Sequence, residues 1–292
     1  MIPPKVHVLH GEGIGCQDEV AHAYKQAGAT VEFLHIKQLL SGKAKLDSRV
    51  LNLAGGFLHG DNLGSGMCAA NELEHGTDGE KRMKDALLDY ARKGNIIYGQ
   101  CNGFQLLVKT GLLPGAGGRH DAQQVTLTHN DCGVYRVGMA KHCIERPHFA
   151  FEGIDDDDLW LWCRHGEGKI QYRAPGGLIS AEDAADNRNC ILQNHVLLRY
   201  IDPTTDTPTQ KFPHNPNGSE DAIAGLVSAD RLVFGHMAHT EVSVYASRDP
   251  RWFAEKDDLN RMGFKAAEVD DKLRYGVGMK VFENIVRYVS KG

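Results

Sequence analysis

Cys101 lies in the stretch Asn95-Ile-Ile-Tyr-Gly-Gln-Cys-Asn-Gly-Phe-Gln105, with glycines two residues before and two residues after it. The preceding apolar run reads as a buried strand and the following one as a helix, so the cysteine falls on a strand-to-helix turn. Such a turn lifts a nucleophile off the sheet. Thiols at helix N-termini are in general favoured as thiolates, and the next backbone N–H can donate to an oxyanion. With 33 glycines and 7 cysteines in the chain, a G-x-C-x-G arises readily by chance, so the flanking elements carry the reading. A thiol also needs a general base held by a carboxylate. His239-Thr240-Glu241 offers one, since a two-residue offset on an extended backbone puts both side chains on one side. The chain has 15 histidines, and spacing alone does not single out His239. Gly55-Gly56-Phe57 could aim backbone N–H groups at the elbow, although Gly-Gly is equally a plain turn signal.

The elements that must position these residues alternate between extended and helical patterns, which predicts an α/β fold with a flavodoxin-like, doubly wound parallel sheet. Strands are expected over Val6 to His10, Thr30 to Leu34, Arg49 to Ala54 and Asn95 to Tyr98. Helical spacing runs from Glu19 to Ala27, from Asp78 to Lys93, from Gly103 to Thr110 and from Gly278 to Val289. Beyond Gly111, extended segments near Val125 to His129, Leu159 to Arg164, Val196 to Ile201 and Leu232 to His236 suggest a mixed or antiparallel extension. Asp155 to Asp158 reads as a solvated loop, because four adjacent carboxylates do not converge on one ion without an unusual turn. Thr204 to Gly218 has no periodicity and reads as a long connection.

Composition narrows the function. Hydrophobic residues make up 41% and charged residues 24%, ordinary values for a globular enzyme, and no uncharged apolar run is long enough to span a bilayer. The net charge of −5, with Lys and Arg dispersed, disfavours nucleic acid as a partner. Seven cysteines without a C-x-x-C pair argue against a disulfide framework and a zinc ribbon, and read as free thiols. No metal is expected. The N-terminus shows no signal-peptide layout, so a cytoplasmic location is expected.

Several motifs occur in a fixed order: Gly55-Gly-Phe-Leu-His-Gly-Asp-Asn-Leu-Gly-Ser-Gly66, Gly99-Gln-Cys-Asn-Gly-Phe-Gln105, Arg164-His-Gly-Glu-Gly-Lys169, Asn215-Pro-Asn-Gly-Ser219 with Ile223-Ala-Gly225, and Met237-Ala-His-Thr-Glu241. Together they resemble the glutaminase part of phosphoribosylformylglycinamidine synthase, a class I glutamine amidotransferase of purine synthesis. The resemblance spans nearly the whole chain and implies one glutamine amidotransferase domain over 1–292, with insertions near 176–190 and 246–275. It implies a triad of Cys101, His239 and Glu241, with Gly55, Gly56, Phe57 and Asn102 around the oxyanion, Gln105 near bound glutamine, and His165 and Glu167 at the site's edge. The thiolate would hydrolyse L-glutamine through a glutamyl thioester. Ammonia would then pass to an ATP-dependent synthetase subunit, with a small third subunit as a further partner. No cofactor is expected in this chain, and ATP and Mg belong on the synthetase. The family's usual Met-Pro-His-Pro-Glu-Arg is here Met237-Ala-His-Thr-Glu-Val242, so both prolines beside the base are missing, which predicts a looser backbone there. The rival readings are a stand-alone cysteine hydrolase of the γ-glutamyl hydrolase or DJ-1-like kind, and a catalytically silent ligand-sensing subunit.

Overall fold

A computed structural model describes residues 2–77, 80–172 and 181–291. In its first half, β1 (Lys5–His10), α1 (Gln17–Gln26), β2 (Thr30–His35), α2 (Ile36–Leu40), β3 (Val50–Leu53), α3 (Met67–His75), α4 (Met83–Arg92), β4 (Ile96–Gln100) and α5 (Asn102–Lys109) follow in turn. The second half adds β5 (Thr126–Thr128), β6 (Arg136–Ile144), β7 (Trp160–His165), β8 (Lys169–Gln171), α6 (Ala181–Asn194), β9 (Val196–Asp202) and β10 (Thr207–Pro208). It closes with β11 (Ile223–Val227), β12 (Val233–His236), β13 (Ala238–His239), α7 (Trp252–Arg261), α8 (Ala266–Lys272) and α9 (Val277–Ser290).

One sheet joins both halves in the order β13-β7-β6-β9-β11-β12-β4-β3-β1-β2. The five strands β2-β1-β3-β4-β12 pair in parallel, which is the flavodoxin-like order expected from the sequence. From β12 onward every pairing is antiparallel, and this wing is the predicted extension. Parallel strands covered on both faces must be apolar throughout. Thus Ile96 and Tyr98 of β4 join one core with α1 and α9, while Ile97 joins the opposite core with α3, α4 and α5. The helix expected from Gly278 forms as α9 because Met279, Phe282, Val286 and Val289 return to the same face.

The structure also departs from the sequence reading in places. α4 begins at Met83, because Arg82 is extended and bridges back to Thr77; Asp78 lies outside the described residues. β6 and β11 were not foreseen. β6 carries Gly138, Lys141 and His142, which break its apolar pattern, and β11 is a short buried run. Of the two expected insertions, residues 176–180 lie outside the described residues and 181–190 fall in α6, while 246–275 holds α7 and α8. Asp155 to Asp158 is an exposed turn whose Asp157 pairs with Lys141. The long connection over Thr204 to Gly218 is more ordered than its lack of periodicity suggests. It pairs β10 with β9 and ends in Asn215, Asn217 and Ser219, whose buried side chains bond back onto the main chain.

Candidate active site

In an open α/β sheet the loops at the carboxyl ends of the parallel strands form the site. Here β1 leads into the Gly11–Gly15 turn, β3 into Gly55–Gly56, β4 into Cys101 and β12 toward His239. Cys101 has φ 50° and ψ −109°, a conformation that costs a non-glycine residue about 1–3 kcal/mol. Its backbone is pinned on both sides: the N–H donates to the His236 carbonyl at 2.9 Å, and the carbonyl accepts from the Gln105 N–H at 3.0 Å. The flanking glycines are required by contact. A Cβ on Gly103 would lie 1.9 Å from the Leu53 carbonyl oxygen, and one on Gly99 would lie 2.7 Å from the Gly103 backbone.

His239 and Glu241 meet as the two-residue offset predicts. β13 pairs His239 with Trp162 at the edge of the antiparallel wing, and His239 Nδ1 is hydrogen-bonded to Glu241 Oε1. Both are buried, at 3% and 5% exposure, beside Cys101 at 6%. Burial disfavours the imidazolium, but Glu241 and the Cys101 sulfur outweigh it and hold the His239 pKa well above its ordinary value. The sulfur is therefore close, yet no aligned hydrogen bond joins the two. Nε2 of His239 has no partner, and the Cys101 thiol points to the Arg164 carbonyl at 3.5 Å. Loose nucleophile–base geometry is usual before substrate binds.

Two proline-free positions beside the base raised the question of what holds it. Thr240, fully buried, answers with its hydroxyl: Oγ1 accepts from Gln100 Nε2 at 2.6 Å and bonds the Tyr98 hydroxyl at 2.8 Å. Gln100 Nε2 also donates to Glu241 Oε2 at 2.9 Å, Gln100 Oε1 accepts from Asn52, and Asn52 accepts from Tyr24. The base is thus fixed by a buried polar chain running from Tyr24 across the sheet. In place of the expected looseness there is side-chain hydrogen bonding. Sequence reasoning missed this chain, although Asn52, polar in the middle of an apolar strand, was a signal.

Gly56 has φ 149°, and a Cβ there would lie 2.6 Å from the Ile14 Cα. Its N–H faces no acceptor among the described backbone bonds, and neither does that of Asn102, the first residue of α5. These two N–H groups remain for an oxyanion. The Phe57 N–H, expected there as well, instead donates to the Gly13 carbonyl at 2.7 Å, so it is not free for this role. Gly55 uses its lack of a Cβ differently, leaving room for the His239 ring. Asn102 adds a side-chain task, accepting from the Leu58 N–H at 3.1 Å and fastening the glycine loop to the elbow.

Gln105 accepts from Ser65 and Asn102 and donates to the Glu167 carbonyl. Glu167 in turn accepts from the Ser65 N–H at 2.9 Å and stands 3.6 Å from buried Lys109, whose pKa is lowered by burial. His165 is buried against Asn130 and pushed by burial to a pKa of about 3, so it is neutral. Ser65, Gln105, His165 and Glu167 line a cleft of about 220 Å³ together with Cys101, His239 and Gly56. Cys16, Asp61 and Arg164, none of them singled out as site residues from sequence, line it too. Besides His239 Nε2, two further polar atoms of charged residues lining the cleft have no partner among the described residues, Asp61 Oδ1 and Arg164 Nε.

Comparison with known proteins gives the chain a family and a fold. A family model described as a CobB/CobQ-like glutamine amidotransferase domain matches residues 3–289. The protein named phosphoribosylformylglycinamidine synthase subunit PurQ in Dehalococcoides mccartyi is 30% identical over 285 residues, 97% of each chain. Its namesake in Methanococcus maripaludis is 28% identical over 293 residues, 99% of each chain. Among solved structures, one described as PurLQS from Thermotoga maritima superposes with a TM-score of 0.65 at 21% identity, covering 98% of this chain and 99% of that one. At that identity the likeness establishes the fold.

Proposed function

This chain belongs to the CobB/CobQ-like glutamine amidotransferase family, and from that premise we propose that it is the glutaminase subunit of a phosphoribosylformylglycinamidine synthase. The carrying observation is Cys101 on its left-handed turn, facing the buried His239–Glu241 pair. The names of its relatives supply the pathway.

In this reading glutamine enters the cleft with its side-chain amide against Cys101. The partnerless Asp61 and Arg164 atoms supply charges of the sign that an α-ammonium and an α-carboxylate require. The Cys101 thiolate attacks the amide carbon, and the Gly56 and Asn102 N–H groups take the oxyanion. Nδ1 of His239 is held by Glu241, so Nε2 is the nitrogen left to exchange a proton with Cys101 and protonate the departing ammonia. Water then hydrolyses the glutamyl thioester. Ammonia passes to an ATP- and magnesium-using synthetase partner. No helix among the described residues is long and apolar enough to cross a membrane.

The test is reconstitution with the ATP-dependent synthetase and its formylglycinamide ribonucleotide substrate. Cys101→Ser should abolish amidine formation from glutamine while leaving formation from added ammonia intact. Glutamine-dependent formation that survives Cys101→Ser would refute the assignment.

A further inference from the structure

Cys16 is unused by the chemistry above, yet its thiol lies at the catalytic base. The residue stands at the start of α1, half-buried, with Sγ 3.8 Å from His239 Nδ1. Nδ1 therefore faces two groups at once, the Glu241 carboxylate and the Cys16 sulfur. The three ligand atoms all lie within 4.8 Å of one another.

From this cluster we infer a zinc-binding site formed by Cys16 Sγ, His239 Nδ1 and Glu241 Oε1, whose occupation switches off glutamine hydrolysis. The donor set carries the choice of ion. Thiolate, imidazole and carboxylate together suit Zn²⁺, whereas Mg²⁺ and Ca²⁺ take oxygen ligands. Geometry agrees. Tetrahedral Zn²⁺, with bonds of about 2.0–2.3 Å, holds its ligand atoms about 3.2–3.6 Å apart. The Cys16–His239 separation already approaches that range, and the Glu241 carboxylate must swing about 1 Å away from Nδ1 to admit the ion. A route in exists as well: the cleft of about 220 Å³ that holds Cys101 is lined by both Cys16 and His239 and by Glu19, whose carboxylate attracts a cation.

Binding would exchange protons as follows. Cys16 gives up its thiol proton to solvent, Nδ1 gives up its own, and Nε2 keeps or gains one. A ligated ring with a protonated Nε2 has no lone pair for the Cys101 proton, and Glu241 is diverted to the metal. The elbow itself stays intact, so removing the ion restores activity.

The test measures zinc directly and then through activity. The chain is titrated with Zn²⁺ against a chromogenic chelator, and glutamine hydrolysis is followed in the complex with the synthetase. Wild type and Cys101→Ser should each bind one zinc with affinities within about 3-fold, while Cys16→Ser should bind at least about 100-fold more weakly, since losing even an outer-shell partner costs 10–100-fold. The zinc concentration that halves glutamine hydrolysis should rise correspondingly in Cys16→Ser, each variant being compared with its own zinc-free rate. In the unmutated protein, one equivalent of zinc should protect Cys16, and not exposed Cys132, from alkylation as mapped by peptide mass. Cys16→Ser binding zinc as tightly as wild type, loss of zinc in Cys101→Ser, or no protection of Cys16 would each overturn the inference. The binding and protection readouts need no turnover, so they separate failure of this site from failure of the proposed activity.

Discussion

The nucleophile follows a parallel strand and the base sits on the antiparallel wing, and the two are held by different means. At the end of β4, Cys101 is held by backbone: a left-handed turn, two main-chain hydrogen bonds and glycines packed too closely for any Cβ. On β13, at the far edge of the antiparallel wing, His239 is held by side chains, through Glu241, Gln100, Thr240 and Asn52. Backbone fixation is steric and fails all at once. A buried polar chain fails by degrees, because each link removed leaves its neighbours unsatisfied but the strand in place.

The largest expected difference appears on acidification. His142 and His148 are pushed by burial to pKa values of about 4, and His165 and His236 to about 3. Three of them lie in or beside the antiparallel wing, His142 in β6, His165 in β7 and His148 after β6, and His236 lies on β12, where the wing meets the parallel strands. Each folded pKa lies below the unfolded value of 6.5, so the unfolded chain binds more protons and stability falls as pH drops below about 6.5. Each group contributes up to ~1.4 kcal/mol per pH unit until its folded pKa is reached. Denaturant melts at pH 7, 6 and 5 should show a steep loss; a flat profile would mean that these histidines are charged or solvated in the native state.

Next in size is Gly103→Ala. With a Cβ 1.9 Å from the Leu53 oxygen, β3 and α5 must separate, and about 3–5 kcal/mol of stability should be lost. Thermal unfolding measures this, and a melting temperature within a degree or two of wild type would show that the elbow can relax. The smallest effect on folding, with a clear one on rate, is expected for Gln100→Leu, which strands Asn52, Thr240 and Glu241. It should cost about 2–3 kcal/mol of stability and lower kcat about 10–100-fold with little change in KM. An unchanged kcat would mean that the base needs no such support.

The same contrast explains what was legible in the sequence. The parallel half announces itself through glycines and continuous apolar runs, so β1 to β4, the elbow at Cys101 and the turn at Gly55–Gly56 could be placed from local pattern. The base was different. Spacing predicted that His239 and Glu241 share a side, but only the ordered motifs singled His239 out from fifteen histidines. β6 escaped because Lys141 and His142, polar by type, are buried in it. The Phe57 N–H was misassigned because its acceptor, the Gly13 carbonyl, comes from a turn more than forty residues earlier. Cys16 went unnoticed for the same reason, its neighbour His239 being 223 positions away.

The central claim is that the strained turn presents Cys101 to glutamine as a nucleophile. The most direct measurement is intact mass after acid quenching during glutamine turnover in the reconstituted complex, followed by peptide mapping. The account predicts a single glutamyl adduct on the Cys101 peptide, absent in Cys101→Ser and accumulating when Glu241 is replaced by Gln if thioester hydrolysis slows more than its formation. Ongoing ammonia release with no adduct at Cys101, or an adduct on Cys16 instead, would contradict it.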